Sequence, residues 1–230
     1  MHTIGVLGGM GPAATAHFME RLVVLCAAEQ DQDYPPTLAY SASHIPDRTT
    51  HLVDEGPDPT PALQQAARVL EEGGAGAIAI PCNTAHAYLT EIRSAVAVPV
   101  FDMIDLAADT IAAAYPGVTV GVLAATGTVR LGLYQAALRA KGLTVEQPAD
   151  GLQAEVMAAI REVKGGGSGR DRRLDNAIEV LRGRGAEVLV LGCTELPLAV
   201  DPASTGIPVV DATDVLARAC LEWAGGSVRP

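Results

Sequence analysis

The chain has 230 residues, of which 49% are hydrophobic, 3% aromatic and 19% charged, and 27 acidic against 16 basic side chains give a net charge of −11. That length suits one large domain or two small ones with a Val, Leu, Ile and Ala core. The acidic balance argues against nucleic acid or an anionic membrane as partner, since both need a basic face.

The predicted elements alternate. An apolar strand over 3–8 runs into the turn Gly9-Met10-Gly11-Pro12 and a helix over 13–28. A strand over 37–43, a helix over Thr60–Glu72, a strand over 75–81, a helix over 83–94 and a short strand over 98–101 follow. Continuous apolar strands separated by helices are the pattern of parallel sheets covered on both faces. The pattern then recurs. Ile4-Gly5-Val6-Leu7 matches Val120-Gly121-Val122-Leu123 at an offset of 116, and Ala77-Ile78-Ala79-Ile80-Pro81-Cys82 matches Val188-Leu189-Val190-Leu191-Gly192-Cys193 at 111. Val98-Pro99-Val100-Phe101-Asp102 matches Ile207-Pro208-Val209-Val210-Asp211 at 109. Three ordered matches with drifting offsets read as a duplicated α/β lobe. The expected architecture is two pseudo-symmetric lobes, each a mostly parallel sheet flanked by helices, with the active site in the cleft between them. The expected boundaries are 1–101 plus 212–230 for the first lobe, with the C-terminal helix returning to it, and 102–211 for the second.

Four cysteines without a disulfide-scaffold spacing read as free thiols in a reducing compartment. Neither a cleavable leader pattern nor an apolar run near ~18 residues is present, so a soluble cytoplasmic protein is expected. Cys26 and Cys220 lie on apolar helical stripes and read as packing residues. Cys82 and Cys193 differ, because each ends a buried strand just before a polar helix start, Asn83-Thr84 in one half and Thr194-Glu195 in the other. Ligands of open α/β sheets bind at the carboxyl ends of strands. A helix N-terminus there is expected to lower a thiol's pKa from its usual ~8.5. Two such sulfurs on opposite sides of one carbon form a base and an acid that invert a stereocentre without a cofactor.

The motifs Gly8-Gly9-Met10-Gly11-Pro12-Ala13-Ala14-Thr15, Cys82-Asn83-Thr84-Ala85-His86 and Gly192-Cys193-Thr194-Glu195-Leu196-Pro197 resemble the three signatures of aspartate racemases, in the aspartate/glutamate racemase superfamily. The resemblance implies cofactor-independent racemisation by Cys82 and Cys193, aspartate as substrate, and a homodimer. Glutamate racemases open the first motif with Asp-Ser-Gly and follow the second Cys-Thr with His; here Gly9-Met10-Gly11-Pro12 and Glu195 stand in those places, which favours the aspartate branch. The alternatives are a broader Asp/Glu racemase, a related superfamily isomerase or decarboxylase, or a small-acid binding protein without catalysis.

An α-carboxylate should meet the N–H groups after the strands, which places Asn83, Thr84, Thr194 and Glu195 in the substrate-binding set, with Met10 and Thr15 on the first loop. Thr126 joins the carboxylate-binding residues by resemblance. A side-chain carboxylate needs a cation: Arg48, after the second strand, and Lys164, at the end of a helix over 152–163 and before the candidate lid hinge Gly165-Gly166-Gly167-Ser168-Gly169, are the candidates. The plain alternatives are an exposed ion pair of Arg48 with Asp47 and a helix-dipole role for Lys164. The dinucleotide-like Gly9-Met10-Gly11-Pro12-Ala13-Ala14 lacks an acidic residue at the end of the second strand, and the histidines show no metal-ligand spacing with the cysteines, so neither nucleotide nor metal is expected. His86, one turn beyond Cys82, is left as a capping, packing or proton-relay residue.

Overall fold

A computed structural model of the chain describes residues 1–167 and 169–229. In chain order the elements are β1 (Ile4–Gly8), α1 (Pro12–Leu25), β2 (Thr37–Ser41), α2 (Arg48–Asp54), α3 (Thr60–Glu72), β3 (Ala77–Ala79), a 3₁₀ segment Asn83–Tyr88, and α4 (Leu89–Arg93). Then come α5 (Met103–Ala114), β4 (Thr119–Ala124), α6 (Thr126–Arg130), α7 (Leu133–Ala140), β5 (Thr144–Glu146), α8 (Asp150–Lys164), α9 (Arg172–Gly183), β6 (Val188–Gly192), β7 (Val209–Asp211) and α10 (Ala212–Ala224). The chain divides into two compact units, residues 1–103 with 213–230, and residues 104–212.

The first unit carries a parallel sheet in the order β2-β1-β3. Every residue of β1 and β3 is buried, whereas β2 alternates exposed and half-buried positions as an edge strand does. The sheet is covered by α3, whose Leu63, Ala66, Ala67 and Leu70 recur at the spacing of one helical face. Pro12 suits the first turn of α1, where its missing N–H costs nothing. The last helix packs in this unit: Arg21 of α1 forks onto Asp214 of α10 through Nε–Oδ1 at 2.6 Å and Nη2–Oδ2 at 2.9 Å, and Trp223 stacks edge-on against Phe101.

The second unit repeats that plan in the order β5-β4-β6-β7, all parallel. Its β4 and β6 are the apolar, buried strands, and Leu174, Ala177, Ile178 and Leu181 of α9 repeat the spacing seen in α3. Since β1 corresponds to β4 and β3 to β6, the matched sequence segments occupy the same sheet positions.

Three local expectations give way. The stretch 98–101 forms only one parallel bridge, Val100 to Ile78, because the chain leaves the sheet for α5 at Met103, while the matching β7 keeps three paired positions. The helix expected over 83–94 is a 3₁₀ segment followed by the five-residue α4. The first helix stops at Leu25 rather than 28, since the C-terminal tail takes the main chain there: Ala27 N–H donates to Ser227 O at 2.8 Å and Arg229 N–H to Leu25 O at 2.8 Å. Among the described residues no helix is long and apolar enough to cross a membrane.

Candidate active site

The candidate residues of the first unit gather where β1, β2 and β3 end. After β1 the chain passes through Gly9 at φ +90°, a conformation that favours glycine; a Cβ there would also lie 2.5 Å from the Ala42 backbone. Thr15 holds this loop: its Oγ1 accepts from Gly9 N–H at 2.8 Å and donates to Gly11 O at 2.9 Å. Its hydroxyl thus shapes the first motif from within.

Arg48 begins α2 and is only 5% exposed, which removes the exposed ion pair as its explanation. Asp47 caps α2 instead, accepting from Thr50 N–H at 2.8 Å. The Arg48 guanidinium donates from Nη1 to Ile45 O at 3.3 Å and Pro46 O at 2.9 Å, and from Nη2 to Met10 O at 3.2 Å. Its Nε has no hydrogen-bond partner among the described residues. A guanidinium has five donors; three are spent on carbonyls, and the buried Nε lies on the side of the guanidinium that meets a carboxylate side-on.

Cys82 follows β3, is 5% exposed, and leads into Asn83 and Thr84, both buried. Met103 N–H donates to His86 Nε2 at 3.0 Å, so the ring's proton sits on Nδ1 and is donated to Cys82 O at 3.0 Å. Burial holds the His86 pKa below the ordinary histidine value despite the opposing pull of Asp102, which keeps this ring neutral and in one tautomer. His86 therefore pins the Cys82 loop to the start of α5, a structural answer to a role that spacing left open.

In the second unit, Thr126 opens α6 straight after β4. Gln153 of α8 reaches Ala124 O at 2.9 Å and Thr126 Oγ1 at 3.4 Å from its Nε2. The spacing of residues gave no sign of Gln153; a glutamine only 7% exposed in the first turn of α8 is visible as unusual only after folding. Gly192 ends β6 against the ring of the fully buried Tyr134, where a Cβ would lie 2.6 Å from Cε2. Gly192→Ala is expected to cost about 1–3 kcal/mol through overpacking, lowering the melting temperature by about 2–4 °C per kcal/mol. A calorimetric scan checks it, and an unchanged melting point would mean that the ring yields freely.

Cys193 is 6% exposed, and its Sγ donates to Glu195 Oε2 at 3.0 Å. Burial pushes its pKa well above the ordinary thiol value, the Glu195 charge adds to that, and the half-buried Lys164 at the end of α8 opposes it. The expected lowering by a helix N-terminus therefore fails here. The segment after Cys193 is a three-residue 3₁₀ turn, Leu196–Leu198, with Pro197 in it, too short to present a helix dipole. Glu195, 1% exposed, turns onto the sulfur, and Thr194 is 2% exposed. After Lys164, Gly166 and Gly169 adopt positive φ; Ser168 of the candidate hinge lies outside the described residues. Cys26 and Cys220 are buried. Among the described residues, no three His, Cys, Asp or Glu side chains are grouped to hold a metal.

Residues 7–220 match the model of the Asp/Glu/hydantoin racemase family. The structure of Picrophilus torridus aspartate racemase aligns at 30% identity with a TM-score of 0.87, over 100% of this chain and 96% of that one. An aspartate racemase homologue from Pyrococcus horikoshii OT3 aligns at 28% identity with a TM-score of 0.79, over 98% and 100%. The broad specificity amino-acid racemase RacX of Bacillus subtilis is 29% identical over 224 residues, 95% of this chain and 96% of its own. Paired sheets with this topology and this kinship define an isomerase, a cofactor-independent amino-acid racemase. The chain belongs to the Asp/Glu/hydantoin racemase family.

Proposed function

We propose that this racemase interconverts L- and D-aspartate, with Cys82 and Cys193 exchanging roles as base and acid at Cα. One sulfur removes the Cα proton as a thiolate, leaving a carbanion whose charge spreads into the α-carboxylate. The other sulfur then delivers its proton to the opposite face, so one C–H bond breaks, one forms, and the protonation states of the two sulfurs end exchanged. Backbone N–H groups and hydroxyls at Asn83, Thr84, Thr126 and Thr194 are assigned to the α-carboxylate, where they offset the developing charge.

The observation that carries the choice of aspartate is the buried, unpartnered Nε of Arg48. A buried guanidinium with its Nε unpartnered among the described residues is suited to the side-chain carboxylate of a short diacid, and Lys164 is assigned as a second cation. The similarity to RacX favours a broader substrate range as the second reading. Incubation with L-Asp, L-Glu and neutral amino acids in heavy water, without pyridoxal phosphate, separates them by chiral chromatography and mass spectrometry. Aspartate should gain deuterium at Cα and racemise fastest by at least about tenfold, the least expected from one charged hydrogen bond. Comparable turnover of neutral amino acids would replace the aspartate reading with the broad one.

A further inference from the structure

Two-base racemisation asks for two sulfurs; it does not by itself ask for a carboxylate against one of them. Glu195 is 1% exposed and Cys193 6%, and a carboxylate removed from water is costly unless it accepts hydrogen bonds. The two side chains are brought together by the turn between them, which is closed by Leu196 N–H to Cys193 O at 3.0 Å and Leu198 N–H to Glu195 O at 3.2 Å. The pair sits beside Leu191, Leu196, Ala199 and Val200 of the second unit's core, which keeps the local dielectric low. The charge of Lys164, at the end of α8, also acts on the sulfur.

We infer that Glu195 is a positioning residue for the proton on Cys193: its carboxylate accepts the S–H at 3.0 Å and holds this sulfur in the proton-donating form. The physical reason is direct. Removing the thiol proton would leave thiolate and carboxylate side by side in an apolar setting, and like charges so placed disfavour ionisation. Lys164 works the other way and relieves part of that repulsion. Glu195 thus acts on substrate through Cys193, a different part from the direct substrate contact expected of it by sequence. Its use in catalysis rests on the racemase reading above, whereas the pair itself exists without substrate. In the free enzyme the pair biases the two sulfurs unequally, with Cys193 entering the cycle as the acid.

The test follows the Cys193 ¹³Cβ resonance of the full chain, labelled at cysteine and assigned with Cys193→Ser, through a titration from about pH 6 to about pH 10 without substrate. In the native protein Cys193 is expected to remain a thiol through neutral pH. In Glu195→Gln, which keeps the side-chain shape and removes the charge, its deprotonation midpoint should fall by about one pH unit or more, roughly tenfold more thiolate at a given pH. Glu195→Asp should restore the native midpoint in part, which a merely structural role would not produce. An unchanged midpoint in Glu195→Gln overturns the inference. So does a Cys193 thiolate at neutral pH in the native protein, an outcome that needs no variant to fold. A native protein that racemises no amino acid while Glu195→Gln shows the expected shift sinks the two-base reading alone; a native protein that racemises aspartate while Glu195→Gln shows no shift sinks the pair alone.

Discussion

Replacing Cys82 or Cys193 with Ala is expected to lower racemisation of L-aspartate by about 10²–10⁴-fold, the range associated with losing one positioned general acid or base. The sharper result lies in isotope exchange. With one sulfur gone, the remaining one removes a Cα proton from one face and returns a solvent deuteron to that same face, giving exchange with retention. Each variant should therefore label one enantiomer and spare the other, and the two variants should choose opposite enantiomers. Proton NMR of Cα in heavy water, run on L- and D-aspartate separately, reads both halves of this expectation. Near-native racemisation by either variant would end the two-base mechanism. Because the two enantiomers have equal free energy, kcat/KM must be equal in both directions in the native protein. Any bias from the Glu195–Cys193 contact therefore shows in kcat and KM taken separately.

Arg48→Leu is expected to raise KM for aspartate by about 10- to 150-fold, the equivalent of about 1.5–3 kcal/mol for losing a charged hydrogen-bonding partner. Two effects combine in that figure. The variant removes the Nε donor assigned to the side-chain carboxylate, and it releases the carbonyls of Ile45, Pro46 and Met10 that the guanidinium gathers. Arg48→Lys keeps the charge but cannot reach three carbonyls and still present a fork, so most of the KM effect should persist in it. Steady-state kinetics checks this, with a thermal melt to separate loop loosening from lost binding. An unchanged KM in Arg48→Leu would remove Arg48 from the site.

The candidate site was legible in part because buried parallel strands write near-continuous apolar runs, and the residue that ends such a run sits at a sheet's carboxyl edge wherever the helices lie. Cys82 after β3 and Cys193 after β6 are read that way, as is the repeat that aligns β1 with β4. Caps and turns were less legible. Asn83-Thr84 and Thr194-Glu195 look like helix starts, yet a 3₁₀ segment and a three-residue turn follow them. Local cap preference is worth about 1 kcal/mol, and buried side-chain bonds compete with it: the His86 ring claims Cys82 O, and the Cys193 thiol claims Glu195.

The amino-acid order alone determined the α/β class, the duplicated strand plan and the two sulfur positions, because these depend on hydrophobic period and on residues adjacent in the chain. Only the tertiary structure decided the protonation preference of Cys193, the neutral tautomer of His86, the buried and unpartnered Nε of Arg48 and the contact of Gln153 with Thr126. Each of these depends on burial and on a partner brought near by folding, through a distant element or a turn of particular shape. Such energies vary steeply with distance and local dielectric, and neither quantity is written in the spacing of residues along a chain.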